Sequence, residues 1–319
     1  MHLETDFRKR SRIFMRKIAA VCLTVMLIPY VTTLAWTGRA DGTVQAGGLS
    51  GKTILLDREG AQRAVDLEEY LIGVAAVQIP SDFEMEAAKA QAIIARTAIC
   101  RQMDGKEEIA ESALDMDYLE QEQMEEIWGS EEALSRFKEI KDAVSETAGQ
   151  VILYNGEYIE PLFTRLSTGR TRQGDEMHPY LLPVEVPEAI EGEGYMTVQI
   201  FTRDELAERF NSMHESPGIS GDEIPDCIQI IEKDSSGYVK SVQVGTKTYT
   251  GDEIRYALDL PSPAFRFETC EDGVRCTVTG IGHGYGFDQF GANRKASEGW
   301  SAEEILKYFF SGVSVESIP

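Results

Sequence analysis

Cysteine, histidine and basic residues are all scarce in this chain, and each scarcity removes a class of function. Four histidines are present, and His2, His178, His214 and His283 are too scattered in sequence to suggest a metal site. Five cysteines do not make a disulfide scaffold, and a chain of 319 residues can bury a core without one. Lysine and arginine number 31 against 54 acidic residues, so the net charge of −23 excludes nucleic acid as a partner. The same field repels acidic polymers wherever local cations do not overcome it. No internal repeat or long low-complexity tract is present. The glycine-rich run near the C-terminus lacks the third glycine of the dinucleotide fingerprint and the Gly-Lys-Ser/Thr of a phosphate-binding loop.

Most of the chain is without long apolar runs, and the exception is at its start. Arg8, Lys9, Arg10, Arg12, Arg16 and Lys17 precede an uncharged run from Ile18 to Trp36. As a helix this run is roughly 28 Å long, enough for one hydrocarbon core. Basic residues on its N-terminal side predict a cytoplasmic stub over 1–17, a transmembrane anchor over 18–36 and an extracytoplasmic remainder. A signal peptide is the competing reading, but Thr33-Leu34-Ala35 is a weak cleavage site. Residues 37–52, rich in glycine from Ala40 onward, read as a flexible tether.

The folded part is expected over 53–319, as one compact α+β domain of mixed helices and short strands. Strands are expected around Ile54–Leu56 and Ala64–Leu67, with a helix opening at Glu68 and stopped by Pro80. Residues 84–103, rich in alanine and free of glycine and proline, predict a second helix with Lys89, Arg96 and Met103 on one face. Lys106 to Glu146 reads as an acidic helical stretch with apolar residues at intervals. Asn155-Gly156 marks a hairpin between Val151–Tyr154 and Tyr158–Phe163. Further strands are expected at 196–201, 228–232, 239–244 and 275–279, and helices at 203–210 and 302–310. Cys270 and Cys276 flank a turn sequence, which leaves both a cross-hairpin disulfide and a pair of reduced thiols open.

Two segments concentrate the unusual chemistry. One is Glu69-Tyr-Leu-Ile-Gly-Val-Ala-Ala-Val-Gln-Ile-Pro80 running into 83–97, and the other is Gly280-Ile-Gly-His-Gly-Tyr-Gly-Phe-Asp-Gln-Phe-Gly-Ala292. Together they resemble the stage II sporulation protein D and amidase-enhancer family. The first signature is matched at Glu69, Tyr70, Leu71, Gly73, Val74, Ala76, Pro80, Phe83, Glu86, Ala87, Lys89, Ala90, Gln91, Ala92, Ala95, Arg96 and Thr97. The second is matched at Gly282, His283, Gly284, Gly286, Gln289, Gly291 and Ala292.

The resemblance implies a membrane-anchored protein that engages glycan strands of the cell wall. Sporulation members of the family look like lytic transglycosylases, which need a carboxylic acid to protonate the glycosidic oxygen. The family supplies it from a Glu before Met-Pro, and here that position is Gln78. An amide cannot exchange a proton at useful pH, so the expectation is a glycan-binding protein with impaired catalysis. Glu84 and Glu86 lie beyond the Pro80 break and are poor substitutes. Lys89 and Arg96 match family cations that suit a sugar carboxylate, with ion pairs to nearby acids as the alternative. Ser167, His283 and Gln289 complete the implied sugar-contacting set, although ordering the glycine-rich loop is the simpler role for His283. Where some relatives carry a zinc-binding His, the segment reads Phe163-Thr164-Arg165, with no cysteine between Cys100 and Cys227. No metal or cofactor is therefore implied. Implied partners are glycan strands and a cell-wall amidase or other membrane sporulation proteins. An active transglycosylase with another acid, and a purely structural or amidase-activating membrane component, are the rival readings.

Overall fold

The computed structural model describes residues 50–58, 60–271 and 273–318. The stub, the apolar span and all but the end of the tether lie outside the described residues. Among the described residues no helix is long and apolar enough to cross a membrane.

Strands β1 (Thr53–Arg58) and β2 (Ala61–Asp66) form a hairpin that runs straight into helix α1 (Leu67–Gln78). Asp66 makes that junction, since its Oδ1 accepts the Glu68 N–H at 2.9 Å and caps the first turn. At the other end Pro80 bars helical geometry at the residue before it, and Ile79 is extended at φ −85°, ψ 117°. Helix α2 (Met85–Met103) follows. Its alanine-rich sequence is buried on two sides. Ala88, Ala92, Ala95, Ile99 and Met103 pack into a core with α1 and β1, and Ala90, Ile93 and Ile94 pack into a second core. A helix that is apolar around most of its circumference belongs in the interior, and α2 is the central element of the fold.

The acidic stretch expected as continuous helix over 106–146 is broken. Strand β3 (Glu108–Ala110) pairs parallel with β1, then come helices α3 (Gln121–Trp128) and α4 (Ser130–Glu146), separated by Gly129 at φ +78°. Strand pairing supplied by a distant segment overrides the local helical preference of 106–110. Of the apolar residues expected on one stripe, Ile127 and Leu134 are exposed while Ile140 and Val144 are buried. The segment between β3 and α3 lies against α1 at Gly73, where a Cβ would come within 2.1 Å of the Tyr118 ring. Tyr118 stacks on Tyr70 with centroids 4.8 Å apart, a contact only a side-chain-free residue 73 permits.

Strands β4 (Gln150–Tyr154) and β5 (Glu157–Tyr158) turn at Asn155-Gly156 as expected, but the second arm is two residues long. Past Pro161, β6 (Phe163–Thr164) leaves the hairpin for a different partner. Residues 196–279 form a region with its own core. It comprises β7 (Met196–Phe201), α5 (Arg203–Asn211), β8 (Ile228–Lys233), β9 (Val239–Val244), β10 (Lys247–Thr250), α6 (Gly251–Leu258), β11 (Phe265–Cys270) and β12 (Gly273–Thr279). The β11–β12 register places Cys270 opposite Gly273 and Cys276 opposite Phe267, so the two thiols do not face each other and both are free. Burial pushes the Cys276 thiol up to about 12 and keeps it unreactive.

The chain then returns to the second core. Strand β13 (Phe287–Asp288) pairs parallel with β6, helix α7 (Gln289–Ser297) starts at once, and α8 (Ala302–Phe309) and β14 (Ser314–Ser317) close the fold against α2 and β4. The described residues thus hold eight α-helices, three short 3-10 helices and five sheets of two or three strands without βαβ alternation.

Candidate functional site

The two signature segments meet where the end of α1, the middle of α2 and the start of α7 come together. Asp288 caps α7, its Oδ1 accepting the Gly291 N–H at 2.8 Å, and the next residue, Gln289, points its amide at α1. Gln289 Nε2 donates to the Gln78 carbonyl oxygen at 2.8 Å and to Gln91 Oε1 at 3.1 Å. Gln91 Nε2 in turn donates to Gln78 Oε1 at 2.9 Å. Three glutamines, one from each helix, are linked by neutral hydrogen bonds around the position where the resemblance expects an acid. Gln91 is fully buried and Gln289 nearly so, whereas Gln78 is half-buried.

One turn further along α7, on the same face, Asn293 clamps the α1–α2 connection. Its Nδ2 donates to the Asp82 carbonyl at 3.0 Å, and its Oδ1 accepts the Glu84 N–H at 2.6 Å. Directly after Gln78, residues Ile79, Pro80, Phe83 and Glu84 line a groove of about 290 Å3 whose far wall is Arg136 and Glu139 of α4. A larger hollow of about 560 Å3 lies between α5 and the β10–α6 junction, and neither it nor the groove is lined by any of the expected site residues.

Gln78 and Gln289 are therefore together, and the other four expected residues are elsewhere. Arg96 is not on a surface. It is fully buried, paired through Nε and Nη2 with both oxygens of Glu68 at 2.7 Å, and donates to the Val144 and Gln150 carbonyls at 3.1 Å and to Thr147 Oγ1 at 3.4 Å. That socket ties α1, α2 and α4 together and leaves no donor for a ligand. Lys89 is also taken up within the protein, bridging Glu86 and Glu146 at 2.7 Å each. For both cations the ion-pair alternative describes the structure.

Ser167 is fully buried, and its N–H donates to Asp288 Oδ2 at 2.6 Å, so it braces the start of α7 from behind. His283 belongs to a separate cluster beneath the glycine-rich loop. Its carbonyl accepts from Arg172 Nη1 at 3.2 Å, and its Nδ1 accepts the Tyr285 N–H at 3.0 Å. Arg172 reaches Asp234 and Asp252 and lies 4.4 Å from the Tyr285 ring centroid. Burial, with help from Arg255 and Arg172, pushes the His283 imidazole down to about 4, so it is neutral at physiological pH and orders the loop. Thr164 holds that loop too. Its hydroxyl donates to the Ile281 carbonyl at 2.9 Å and accepts the Gly284 N–H at 3.2 Å.

Reading the sequence missed Gln91 and Asn293 as site residues. Gln91 did carry a signal, being an uncharged polar residue inside an otherwise alanine- and isoleucine-lined stretch. Asn293 carried none.

Comparison with known proteins falls in part on the first of these segments. A family model described as stage II sporulation protein matches residues 57–154, which run from β1 to the end of β4 and contain Gln78 and Gln91. Stage II sporulation protein D of Bacillus subtilis is 32% identical over 263 residues, which cover 79% of this chain and 74% of that protein. Stage II sporulation protein D of Bacillus amyloliquefaciens is 26% identical over 332 aligned residues, 93% of this chain and 94% of that protein. An uncharacterized protein of Brachyspira hyodysenteriae is 26% identical over 259 residues, covering 79% and 67%. Shared identity at that level across most of both chains, anchored on the helix pair that builds the glutamine cluster, places the chain in the stage II sporulation protein D family.

Proposed function

We propose that the protein acts in sporulation, holding glycan strands of the bacterial cell wall outside a membrane to which residues 18–36 anchor it, with transglycosylase chemistry lost or nearly lost. The observation that carries this reading is the amide at position 78. It sits at the end of α1, immediately before residues that line a groove, and its side chain is held by Gln91, yet it has no proton to give.

None of the carboxyls Glu84, Glu86 and Asp288 replaces it. Glu84 is exposed at the start of α2. Burial acts to raise the Glu86 carboxyl, but the Lys89 ammonium and the Ala302 N–H outweigh it and hold Glu86 below the ordinary carboxylate range. Glu86 is thus ionised at neutral pH and has no proton to donate. Burial pushes the Asp288 carboxyl up, but Asp288 is fully enclosed and its oxygens accept the Ser167 and Gly291 N–H groups. It serves as a helix cap and reaches no ligand.

Incubating the purified chain with peptide-stripped glycan tests the reading. Retention of glycan without new 1,6-anhydro ends is expected, and Gln78→Glu is expected to restore cleavage. Anhydro ends formed by the native protein and lost in Gln78→Ala would overturn the claim of lost catalysis. Absence of any glycan retention would leave a structural role in a membrane complex, with an amidase or another sporulation protein as partner.

A further inference from the structure

A strand at the edge of a sheet presents N–H and C=O groups to any other chain, and proteins guard such edges with charge, proline, bulges or brevity. Among the described residues the edge strands of three or more residues are β2, β3, β7, β8, β10, β11 and β14. All but one carry a charged side chain, and β8 has two register shifts as well. The exception is β7. Met196-Thr-Val-Gln-Ile-Phe201 has no charge, proline or glycine and pairs with β12 without a bulge. Its backbone makes no hydrogen bond on the other side among the described residues. Its outward face is apolar too, since Met196, Val198 and Ile200 are 57%, 54% and 53% exposed at a spacing of two. On the inner face the Thr197 hydroxyl is buried without a partner.

We infer that β7 is a self-association edge, through which two copies of this chain pair antiparallel about a two-fold axis at Val198 and join their three-stranded sheets into one of six strands. The strand is self-complementary in this register. Val198 faces its own copy, and Met196 faces Ile200 of the second copy on either side of the axis, so the apolar residues of both strands form one stripe. On the inner face Thr197 comes opposite Gln199 of the second copy, whose amide can bond the unpartnered hydroxyl. Exposed Glu193 and Arg203 lie equally far from Val198 on its two sides, so opposite charges meet at both ends of the pairing. A slip of one residue would set the apolar positions against Thr197 and Gln199.

A chain of net charge −23 repels its own copy, and this edge is where that repulsion is weak. Beside the uncharged β7, the outward face of β12 and β11 holds Arg275 and the Arg266–Glu268 pair. A foreign strand would also find the edge open, but the symmetric placement of the apolar residues, Glu193 and Arg203 fits a copy. Strand β7 lies outside residues 57–154 and shares no residue with the glutamine cluster, so self-association is independent of the glycan reading.

Sedimentation velocity on the full chain in mild detergent, over a concentration series, tests the inference. The native protein should pass from monomer to dimer in the micromolar range, as a small interface does. Val198→Lys, at an exposed position, sets two ammonium groups against each other on the axis. It should weaken the dimer about tenfold or more with circular dichroism unchanged. Glu193→Arg should weaken it several-fold, and adding Arg203→Glu should restore it. Cross-linking reads the register. Under mild oxidation Val198→Cys should form a disulfide-linked dimer alone, whereas Met196→Cys and Ile200→Cys should cross-link only when mixed. The native chain, which has free thiols of its own, is the control. A native protein that stays monomeric throughout the micromolar range, or a dimer indifferent to Val198→Lys, would overturn the inference. A dimer in which Val198→Cys forms no cross-link would overturn the two-fold register.

Discussion

Helix α2 carries two buried polar stations, Gln91 and Arg96, and they end in opposite ways. At Arg96 every N–H of the guanidinium is engaged, by Glu68, Thr147 and the Val144 and Gln150 carbonyls, and the network closes inside the protein. At Gln91 the bonds are neutral and the chain of donors terminates on the half-buried amide of Gln78. Both residues match the same family signature, five positions apart. What separates the two stations is whether the hydrogen-bond network runs out of partners before it reaches solvent. Charge is a poor guide to the same distinction, because the cations are the residues already spent on internal pairs.

The comparison is broken most severely at Arg96. Replacing it with alanine leaves Glu68 buried without its counter-ion and removes the tie between α1, α2 and α4. Denaturant unfolding should show a loss of about 3–5 kcal/mol for Arg96→Ala. The glycine-rich loop provides a titratable contrast to both stations. His283, held near 4 by burial in the folded state against an ordinary value of 6.5, must become charged in acid. Between pH 6.5 and 4 the unfolded chain binds the proton first, so stability falls as pH falls through that window. The total loss is on the order of 3 kcal/mol, complete by about pH 4. His283→Gln should flatten this part of a stability-versus-pH profile, and an unchanged profile would show that the loop tolerates the cation. The smallest effect is expected at Lys89. Its pairs with Glu86 and Glu146 lie near the surface, so Lys89→Ala should change stability by less than about 1 kcal/mol and leave glycan retention intact.

Much of the scaffold was legible in the sequence because its signals are local. Pro80 ends α1 where expected, the alanine-rich run gives α2, and period-two patterning locates β7 and β9. The failures share a cause. Residues 106–120 were expected to be helical, and they form a strand and connecting turns because β1 and the face of α1 at Gly73 are available to them. The start of α7 was hidden in a glycine-rich run that reads as loop, so Gln289 was identified by motif and its neighbour Asn293 was not. The pairing of Lys89 and Arg96 on one face of α2 was correct in direction and misleading in meaning. Helical spacing says which residues share a side, and only the packing of α1 and α4 decides that Arg96 is interior while the Lys89 pairs stay near the surface.

Helix α7 begins immediately after a two-residue parallel pairing in which Phe287 sits beside Phe163 and Asp288 beside Thr164. That short pairing acts as an indexing pin. It sets the angular phase of α7 about its own axis, and with it the directions in which consecutive residues project. Because each helical residue advances the phase by about 100°, one residue inserted between Gly286 and Gln289 would swing Gln289 away from α1 and carry Asn293 off the α1–α2 connection. The spacing of the glycine-rich motif is in this sense the timing mark of the glutamine cluster.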